Sequence, residues 1–404
     1  MKSLKEPINY RNSQMLGLYF GYFTTYAMPI FIIFPLLYSI AKKNIKPIYV
    51  LIPLSFSVFA FYFNPPVEYD LYRHFEAYRQ YLAGGVVEHI KDFYLLLLFY
   101  VGDFFKLPPN FMPLVSCYLL YYYLMKIARK INIRNNLSYN KSLLTVIFML
   151  SAIPIVSYTG IRYSTGMILG LYGLYQYLTD KKVSGLLHII LGTTAHFSIV
   201  IPLLLLIFFE AQFYVKKIVR FLFPFLFLFA LSIAFNPSVI VYVLTEVSNG
   251  INSFFGSNFI PIANYVSGSY GMERQESFNF IGMVIFSINK WGTMIIIAWS
   301  VFLLKSKNDK FSQYLCYLSV FCLFVSPFGT LFGRFGHFTL VLIAIRFLDY
   351  DLRGFASSKL VTLTIAIIFI FGRLIEVINN LPVFIDSYSS LYKISLMGVF
   401  YNVF

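Results

Sequence analysis

The chain has 404 residues, of which 59% are hydrophobic and only 12% are charged, and its formal net charge at pH 7 is +15. Ordinary soluble domains are about 45–50% apolar and about 25% charged, so a soluble fold of this size could not bury so much apolar surface. The composition therefore predicts a membrane protein and excludes a cytosolic enzyme, a secreted disulfide scaffold and a DNA-binding domain.

Apolar segments follow one another along the whole chain, and a membrane-spanning helix needs about 20 apolar residues. The segment 185–209 is either one long helix or two short helices that meet near His196, and the short segment 93–105 is predicted to be re-entrant or interfacial. We predict an all-α polytopic membrane protein in which residues 1–404 form a single integral membrane domain with about 11–13 transmembrane helices. The other predicted spans are 15–41, 47–63, 111–128, 143–158, 163–178, 218–235, 280–304, 311–328, 338–348 and 360–378.

The distribution of lysine and arginine predicts how the chain is oriented. If the loop 41–46 is cytoplasmic, the basic clusters fall on that side, as the positive-inside rule requires, and the net charge needs no nucleic-acid partner. Residues 64–92 and 236–279 then form two periplasmic loops. Lysine dominates inside, whereas arginines stand singly at the predicted outer helix ends. Arginine is suited to bidentate phosphate binding, although pairing with outer carboxylates is the alternative.

The first periplasmic loop, 64–92, begins with Asn-Pro-Pro, which ends the preceding helix, and continues with the pattern of an amphipathic helix. Asp70 and Arg73 share one face of that helix, as a functional pair or as a plain surface ion pair. Glu68 and Asp70 also resemble the acidic pair with which many lipid-linked glycosyltransferases hold a divalent metal.

Two glycine-containing segments each carry an arginine. Residues 159–166 predict a sharp polar turn with Arg162 at its tip, and an arginine at this depth needs an anionic partner, so we predict phosphate binding. Residues 329–337 place three glycines around Arg334 and His337, which predicts a flexible polar break that binds a ligand.

Two further sets of polar residues are candidates for the site. His196 lies within a long apolar stretch, where it is either a general base or hydrogen-bond donor to phosphate, or a neutral histidine bonded to a backbone carbonyl. In the second loop, 236–279, exposed tyrosines and polar side chains suit sugar binding but also an ordinary solvated loop. The possible sugar-binding residues are Tyr265, Tyr270 and Arg274 of this loop and His337 of the segment 329–337.

The order of these features resembles the EpsG-like branch of the Wzy-type O-antigen and exopolysaccharide polymerases. The resemblance is densest over 67–206. The first-loop motif departs from the family, where a Gly-Asp-Tyr sequence often follows an arginine, because Pro66–Arg73 here is PVEYDLYR. The features that carry the resemblance are the outer Asp-x-x-Arg segment, Arg162 before a helix that closes with Asp180-Lys181-Lys182, the His-x-Ser turn at His196–Ser198, and the late Arg334.

The resemblance implies a GT-C-like helical architecture and a glycosyltransferase in the bacterial inner membrane, with an active site that faces the periplasm or cell exterior. It would transfer a growing glycan from undecaprenyl pyrophosphate to the non-reducing end of a lipid-linked repeat unit. Charge develops on the leaving pyrophosphate, so Arg162 and Arg334, then Arg73, are the expected binding groups. Asp70 or His196 would serve as the base. No cofactor or metal is expected.

The expected partners are the undecaprenyl-pyrophosphate-linked oligosaccharide, the lipid bilayer and a separate chain-length regulator. Three alternatives stay open: a metal-dependent, polyprenyl-linked GT-C glycosyltransferase, an O-antigen ligase, and a glycolipid flippase or other transporter. The transporter is disfavoured because the sequence shows no convincing internal repeat and its charges cluster at one face.

Overall fold

The computed structural model describes residues 41–67, 69–85, 93–153, 161–211, 226–230, 280–305, 307 and 309–351, together with a few single positions. The regular structure in these ranges is helical, without a β-strand. Contacts divide the chain into two compact units, Met1–Val200 with Ala366–Phe404 and Ile201–Ile365.

The first unit contains seven of the described helices, joined by short connections. They are α1 (Lys46–Phe61), α2 (Asp70–Leu82), α3 (Phe93–Phe104), α4 (Phe111–Arg134), α5 (Tyr139–Ala152), α6 (Ile161–Asp180) and α7 (Ser184–Ala195), and the 3-10 turn Phe197–Ile199 follows α7. The remaining described helices are α8 (Val200–Ala211), α9 (Phe280–Lys305), α10 (Lys310–Phe324) and α11 (Gly329–Asp351).

Helix α4 is the centre of the first unit and packs against α1, α5 and α6. Tyr121 of α4 is fully buried, its ring meets Phe56 edge-on at 4.6 Å, and its hydroxyl donates to the Ile153 carbonyl at 3.0 Å. Just before α4, the Asn110 amide donates to the Phe61 carbonyl at 2.7 Å, which caps the end of α1. Apolar packing and these hydrogen bonds hold the helices of the first unit together.

The second unit is held by a polar cluster between the start of α10 and the end of α11. Arg346 is buried and donates to the Ser312 hydroxyl at 2.9 Å and to the Asp309 carboxylate at 2.7 Å. Asp309 also caps α10, because it accepts from the Ser312 amide at 2.9 Å. The Tyr314 hydroxyl donates to the Pro202 carbonyl at 2.9 Å and joins α8 to α10.

Two described helices are long and apolar enough to cross a bilayer, Phe111–Arg134 and Leu331–Asp349. Shorter apolar helices cover Lys46–Phe61, Phe93–Phe104, Ser184–Ala195 and Phe197–Ala211. The all-helical fold class is confirmed for the described residues. The number of transmembrane helices, the membrane orientation and the single integral domain stay predictions.

The structure decides between the two interpretations of residues 185–209. Helix α7 ends at Ala195, His196 is extended, and α8 begins at Val200 after the 3-10 turn. The segment is therefore two short helices that meet at His196.

The glycine-rich segment 329–337 is not the flexible break that its composition predicts, because it forms the first turns of α11. Close packing accounts for part of the difference: a Cβ on Gly336 would lie 3.1 Å from the Thr293 methyl group of α9. A small residue there permits close contact between the helices and does not form a turn.

Candidate functional site

Helix α2 carries the first predicted pair. Its residues Leu71, His74, Phe75 and Tyr78 are buried, at the i, i+3, i+4 and i+7 spacing of one helix face. Asp70 and Arg73 stand outside that face, where the Arg73 Nη2 lies 2.8 Å from the Asp70 Oδ1. The predicted ion pair is therefore present in the structure.

Tyr78 attaches α2 to the rest of the first unit. Its ring is fully buried between Phe99 and Phe111, at centroid distances of 5.3 and 5.9 Å. Its hydroxyl donates to the Leu107 carbonyl at 3.0 Å. Burial, with the nearby Asp103 carboxylate, raises the pKa of Tyr78 to about 12, so the hydroxyl stays a proton donor at neutral pH.

His74, which the sequence left without a role, is a buried member of this site. Only 7% of the residue is exposed, and its Nε2 has no hydrogen-bond partner among the described residues. Burial lowers the pKa of His74 to about 4; the Arg162 and Arg73 guanidiniums act in the same direction, and the Asp70 carboxylate opposes them. The signal in the sequence was a histidine at an apolar position of the amphipathic pattern.

Arg162 is the second residue of α6 and is half-buried. Its effect on the pKa of His74 shows that the start of α6 lies near α2. The N-terminal end of a helix also favours anions. Asp70, Arg73 and Arg162 are thus all within electrostatic range of His74, and Arg162 lies within a helix and not at the tip of a turn.

His196 follows the last residue of α7, beside the start of α6, and is 4% exposed. The Ser198 amide donates to the His196 Nδ1 at 3.2 Å, and the Ser198 hydroxyl oxygen lies 2.7 Å from the same nitrogen. Since Nδ1 accepts, the neutral ring carries its proton on Nε2. Tyr163, the neighbour of Arg162, meets the imidazole edge-on at 5.4 Å.

The other predicted residues fall into two groups. Arg334 and His337 are half-buried and lie one turn apart on α11, in the second unit. Their grouping with Arg162 around one ligand stays a prediction. The remaining sugar-binding and acidic candidates, Tyr265, Tyr270, Arg274 and Glu68, lie outside the described residues.

The described residues offer no cluster of three or more histidine, cysteine or acidic side chains that could hold a metal ion. The charged groups that act on the neutral His74 imidazole are instead the Arg73 and Arg162 guanidiniums and the Asp70 carboxylate. Such a set can bind an anion and hold or move a proton.

The described residues form helices, several of them apolar, and the first unit places two arginines and one carboxylate within electrostatic range of a buried histidine. The sequence model of the EpsG family matches residues 67–390, about four fifths of the chain. The chain belongs to the EpsG family. No curated protein and no solved structure matches it. Membership indicates a polymerase-like glycosyltransferase of membrane polysaccharide biosynthesis, which confirms the EpsG-like part of the resemblance.

Proposed function

We propose that the protein is a Wzy-type polymerase of lipid-linked polysaccharide repeat units, for O-antigen or for capsule or exopolysaccharide. The donor is a glycan chain on undecaprenyl pyrophosphate, and the acceptor is one repeat unit on the same lipid. The observation that carries the proposal is the grouping of Arg73, Arg162, Asp70 and His74 in a member of the EpsG family.

The reaction exchanges one bond at the anomeric carbon of the donor. The acceptor hydroxyl oxygen forms the new glycosidic bond, and the bond between the anomeric carbon and the pyrophosphate oxygen breaks. Undecaprenyl pyrophosphate leaves with the electron pair of that bond, and the hydroxyl proton passes to a base. The energy of the pyrophosphate linkage drives the transfer, so a nucleotide is not required.

The arginines suit the charge that grows on the leaving group. Arg162 and Arg73 would contact phosphate oxygens as negative charge develops there, and such contacts are strongest where water is excluded. Arg334 is a further candidate from the second unit. The Arg73 guanidinium would exchange the Asp70 carboxylate for the phosphate, which frees Asp70 to accept the hydroxyl proton.

His196 is better suited to donating a hydrogen bond than to removing a proton. Its Nδ1 already accepts from Ser198, and its neutral ring presents an N–H at Nε2. Of the two predicted bases, Asp70 therefore has the stronger support, and His196 would donate to a phosphate or sugar oxygen.

The site would face the periplasm or the cell exterior from a multi-pass protein of the bacterial cytoplasmic membrane. The α4 and α11 helices are suited in length and composition to a bilayer, and apolar helix surfaces suit the polyprenyl tail. The proposed polymerase acts together with a separate protein that regulates chain length.

The test is polymer formation in proteoliposomes supplied with lipid-linked repeat units. Arg162→Ala is expected to lower polymerisation by about 10²–10³-fold, the range seen when one donor to a developing oxyanion is removed. Arg162→Lys keeps the charge but loses the bidentate fork, so it should recover only part of the rate. Cells with Arg162→Ala should display single repeat units; complete absence of surface glycan would instead indicate a flippase.

Helix α2 offers a matched control for Arg73. Arg73 and Arg79 each pair with a carboxylate three residues earlier, and their side chains are 56% and 55% exposed. Arg73→Ala should impair polymerisation, whereas Arg79→Ala should not. Equal effects would contradict the site.

A second control separates this mechanism from metal-dependent transfer. Activity should persist in excess EDTA, because guanidiniums and not a divalent ion stabilise the leaving group. Loss of activity that Mg²⁺ or Mn²⁺ restores, with transfer of single sugars, would identify the metal-dependent alternative.

A further inference from the structure

The feature that the proposed chemistry leaves unexplained is the buried Nε2 of His74. It has no hydrogen-bond partner among the described residues, and the residue is 7% exposed. An unpaired polar atom removed from water costs stability, and most proteins avoid it. A buried polar group without a partner, next to cations, indicates a place where a ligand supplies the missing atom.

The charged groups near His74 specify the ligand. On its own helix these are Asp70 and Arg73, and from α6 there is Arg162. On α3, which also packs against α2, the charged residue Asp103 acts on Tyr78. Two guanidiniums lie within electrostatic range of one imidazole, so the complementary ligand is an anion that carries several acceptor oxygens.

We infer that His74 is a phosphate-binding residue that donates a hydrogen bond from Nε2 to a phosphate oxygen held by Arg73 and Arg162. This inference rests on the proposed function and adds a residue to its pyrophosphate site. The ligand oxygen reaches the shielded nitrogen as the half-exposed arginine side chains turn onto the phosphate.

The direction of the hydrogen bond follows from the chemistry of the partners. A phosphoanhydride at neutral pH offers only acceptor oxygens, so His74 has to donate. Burial and the two guanidiniums hold the imidazole neutral, with a pKa of about 4, and a neutral imidazole still carries one N–H. Such a low pKa makes a poor general base near pH 7, since bases work best with a pKa near the working pH.

Two amide substitutions test which ring nitrogen acts. In His74→Gln the amide nitrogen occupies roughly the position of Nε2, and in His74→Asn it is close to that of Nδ1. Binding of geranylgeranyl pyrophosphate would be measured with purified protein in phosphatidylcholine nanodiscs. His74→Ala and His74→Asn should weaken binding about 10- to 100-fold, the range for a lost hydrogen bond to a charged group. His74→Gln should stay within about threefold of the native protein.

The control is His188→Gln on α7, a histidine whose Nδ1 lies 2.8 Å from the Ser184 carbonyl oxygen and whose ring meets Tyr172. It should bind like the native protein. Thermal melting of each variant separates loss of binding from loss of fold. If His74→Gln binds as poorly as His74→Ala while both remain folded, the hydrogen-bond role is wrong.

The pH dependence and competitors complete the test. Because the terminal phosphate of the probe itself titrates at about pH 6, the native protein is compared with His74→Gln at each pH. The ratio of their affinities should be constant from pH 5.5 to 8; a rise in that ratio below pH 6.5 would mean that an imidazolium binds and would overturn the inference. Inorganic pyrophosphate should compete for the site, whereas adding phosphatidylglycerol to the nanodiscs should not. Competition by that lipid would assign the phosphate to a membrane headgroup and contradict the pyrophosphate site.

Polymer formation by the native protein tests the proposed function separately from the role of His74. If the native protein forms polymer but every His74 variant binds and polymerises normally, the inference fails and the proposed function stands. If the native protein binds pyrophosphate through His74 but forms no polymer, the proposed function fails and the binding residue stands.

Discussion

The backbones of Gly173 on α6 and Gly185 on α7 are in direct contact. A Cβ on Gly185 would lie 2.5 Å from the Gly173 carbonyl oxygen, and a Cβ on Gly173 would lie 2.6 Å from the Gly185 carbonyl oxygen. Gly166 and Gly192 make a second contact of this kind between the same helices. The glycines thus set the separation of the two helices, one of which carries Arg162 while the other is followed directly by His196.

Substitution of Gly185 by alanine should separate α6 from α7. The added methyl group has no space against the Gly173 backbone, and overpacking of this kind costs about 1–3 kcal/mol. The measurement is the free energy of unfolding from denaturant titration in detergent micelles.

Gly333→Ala on α11 is the matched control, because a Cβ on Gly333 would meet nothing within 4 Å. Alanine is also the better helix former by about 1 kcal/mol. Gly333→Ala should therefore keep or raise stability, and a Gly185→Ala protein as stable as this control would contradict the close contact.

Loss of the Asp180 carboxylate should destabilise the opposite end of α6. Asp180 accepts hydrogen bonds from Lys130 at 2.7 Å and from Arg134, and all three side chains are largely buried. Asp180→Asn removes the charge that balances both cations and should cost about 1–3 kcal/mol. The same denaturant titration measures it.

Asp103→Asn gives the exposed counterpart of that change. Asp103 pairs with Lys106 at 2.8 Å, and the two side chains are 43% and 81% exposed. Exposed pairs contribute at most about 1 kcal/mol, so Asp103→Asn should change stability by less than Asp180→Asn. Equal effects would show that burial of the Asp180 pairs has no energetic consequence.

Acid should destabilise the protein through His74. Its pKa is about 4 when folded and 6.5 ordinarily, so between these values the unfolded chain binds a proton that the folded chain does not. Stability is retained above pH 6.5 and falls as the pH drops, by about 2 kcal/mol at pH 5.

The His74→Gln protein lacks this titration and serves as the reference. Denaturant titrations of both proteins at pH 7.5 and pH 5 give the difference between them. The native protein should lose more stability than the variant over this interval. Parallel losses would mean that His74 is not held neutral in the fold.

Removal of the Tyr78 hydroxyl should loosen α2. Tyr78→Phe keeps the ring between Phe99 and Phe111 but leaves the Leu107 carbonyl without its donor. The expected loss of stability is about 1 kcal/mol. The rate of polymerisation should also fall, because Asp70 and Arg73 lie on the same helix as Tyr78.

Tyr81→Phe is the control for that change, since Tyr81 contributes a ring contact to Phe99 at 5.6 Å. It should leave polymerisation near the native rate. If Tyr78→Phe is equally active, the hydroxyl contact does not position the site.

Local pattern was sufficient for several parts of this molecule. After Asn-Pro-Pro, apolar and charged residues are spaced as on the two faces of an amphipathic helix. The structure has α2 with its Asp70–Arg73 pair at this place. The three-residue spacing of that pair is a property of the helix itself and needs no tertiary information. The glycines of residues 329–337 predicted a flexible break, but this segment is helical. Gly336 of α11 is a site of close helix packing and not of a turn.

Composition by itself was enough to predict a membrane protein, because a soluble core could not bury so large an apolar fraction, and the scarcity of charge made each arginine conspicuous. Only the tertiary structure decided that His74 belongs with Arg162, since 88 positions separate them in the sequence. The physical reason is that a histidine on an apolar helix face is indistinguishable from a packing residue until the cations of another helix lie beside it. Burial and charge from α6, which no local pattern encodes, give this imidazole its neutral state and its inferred role.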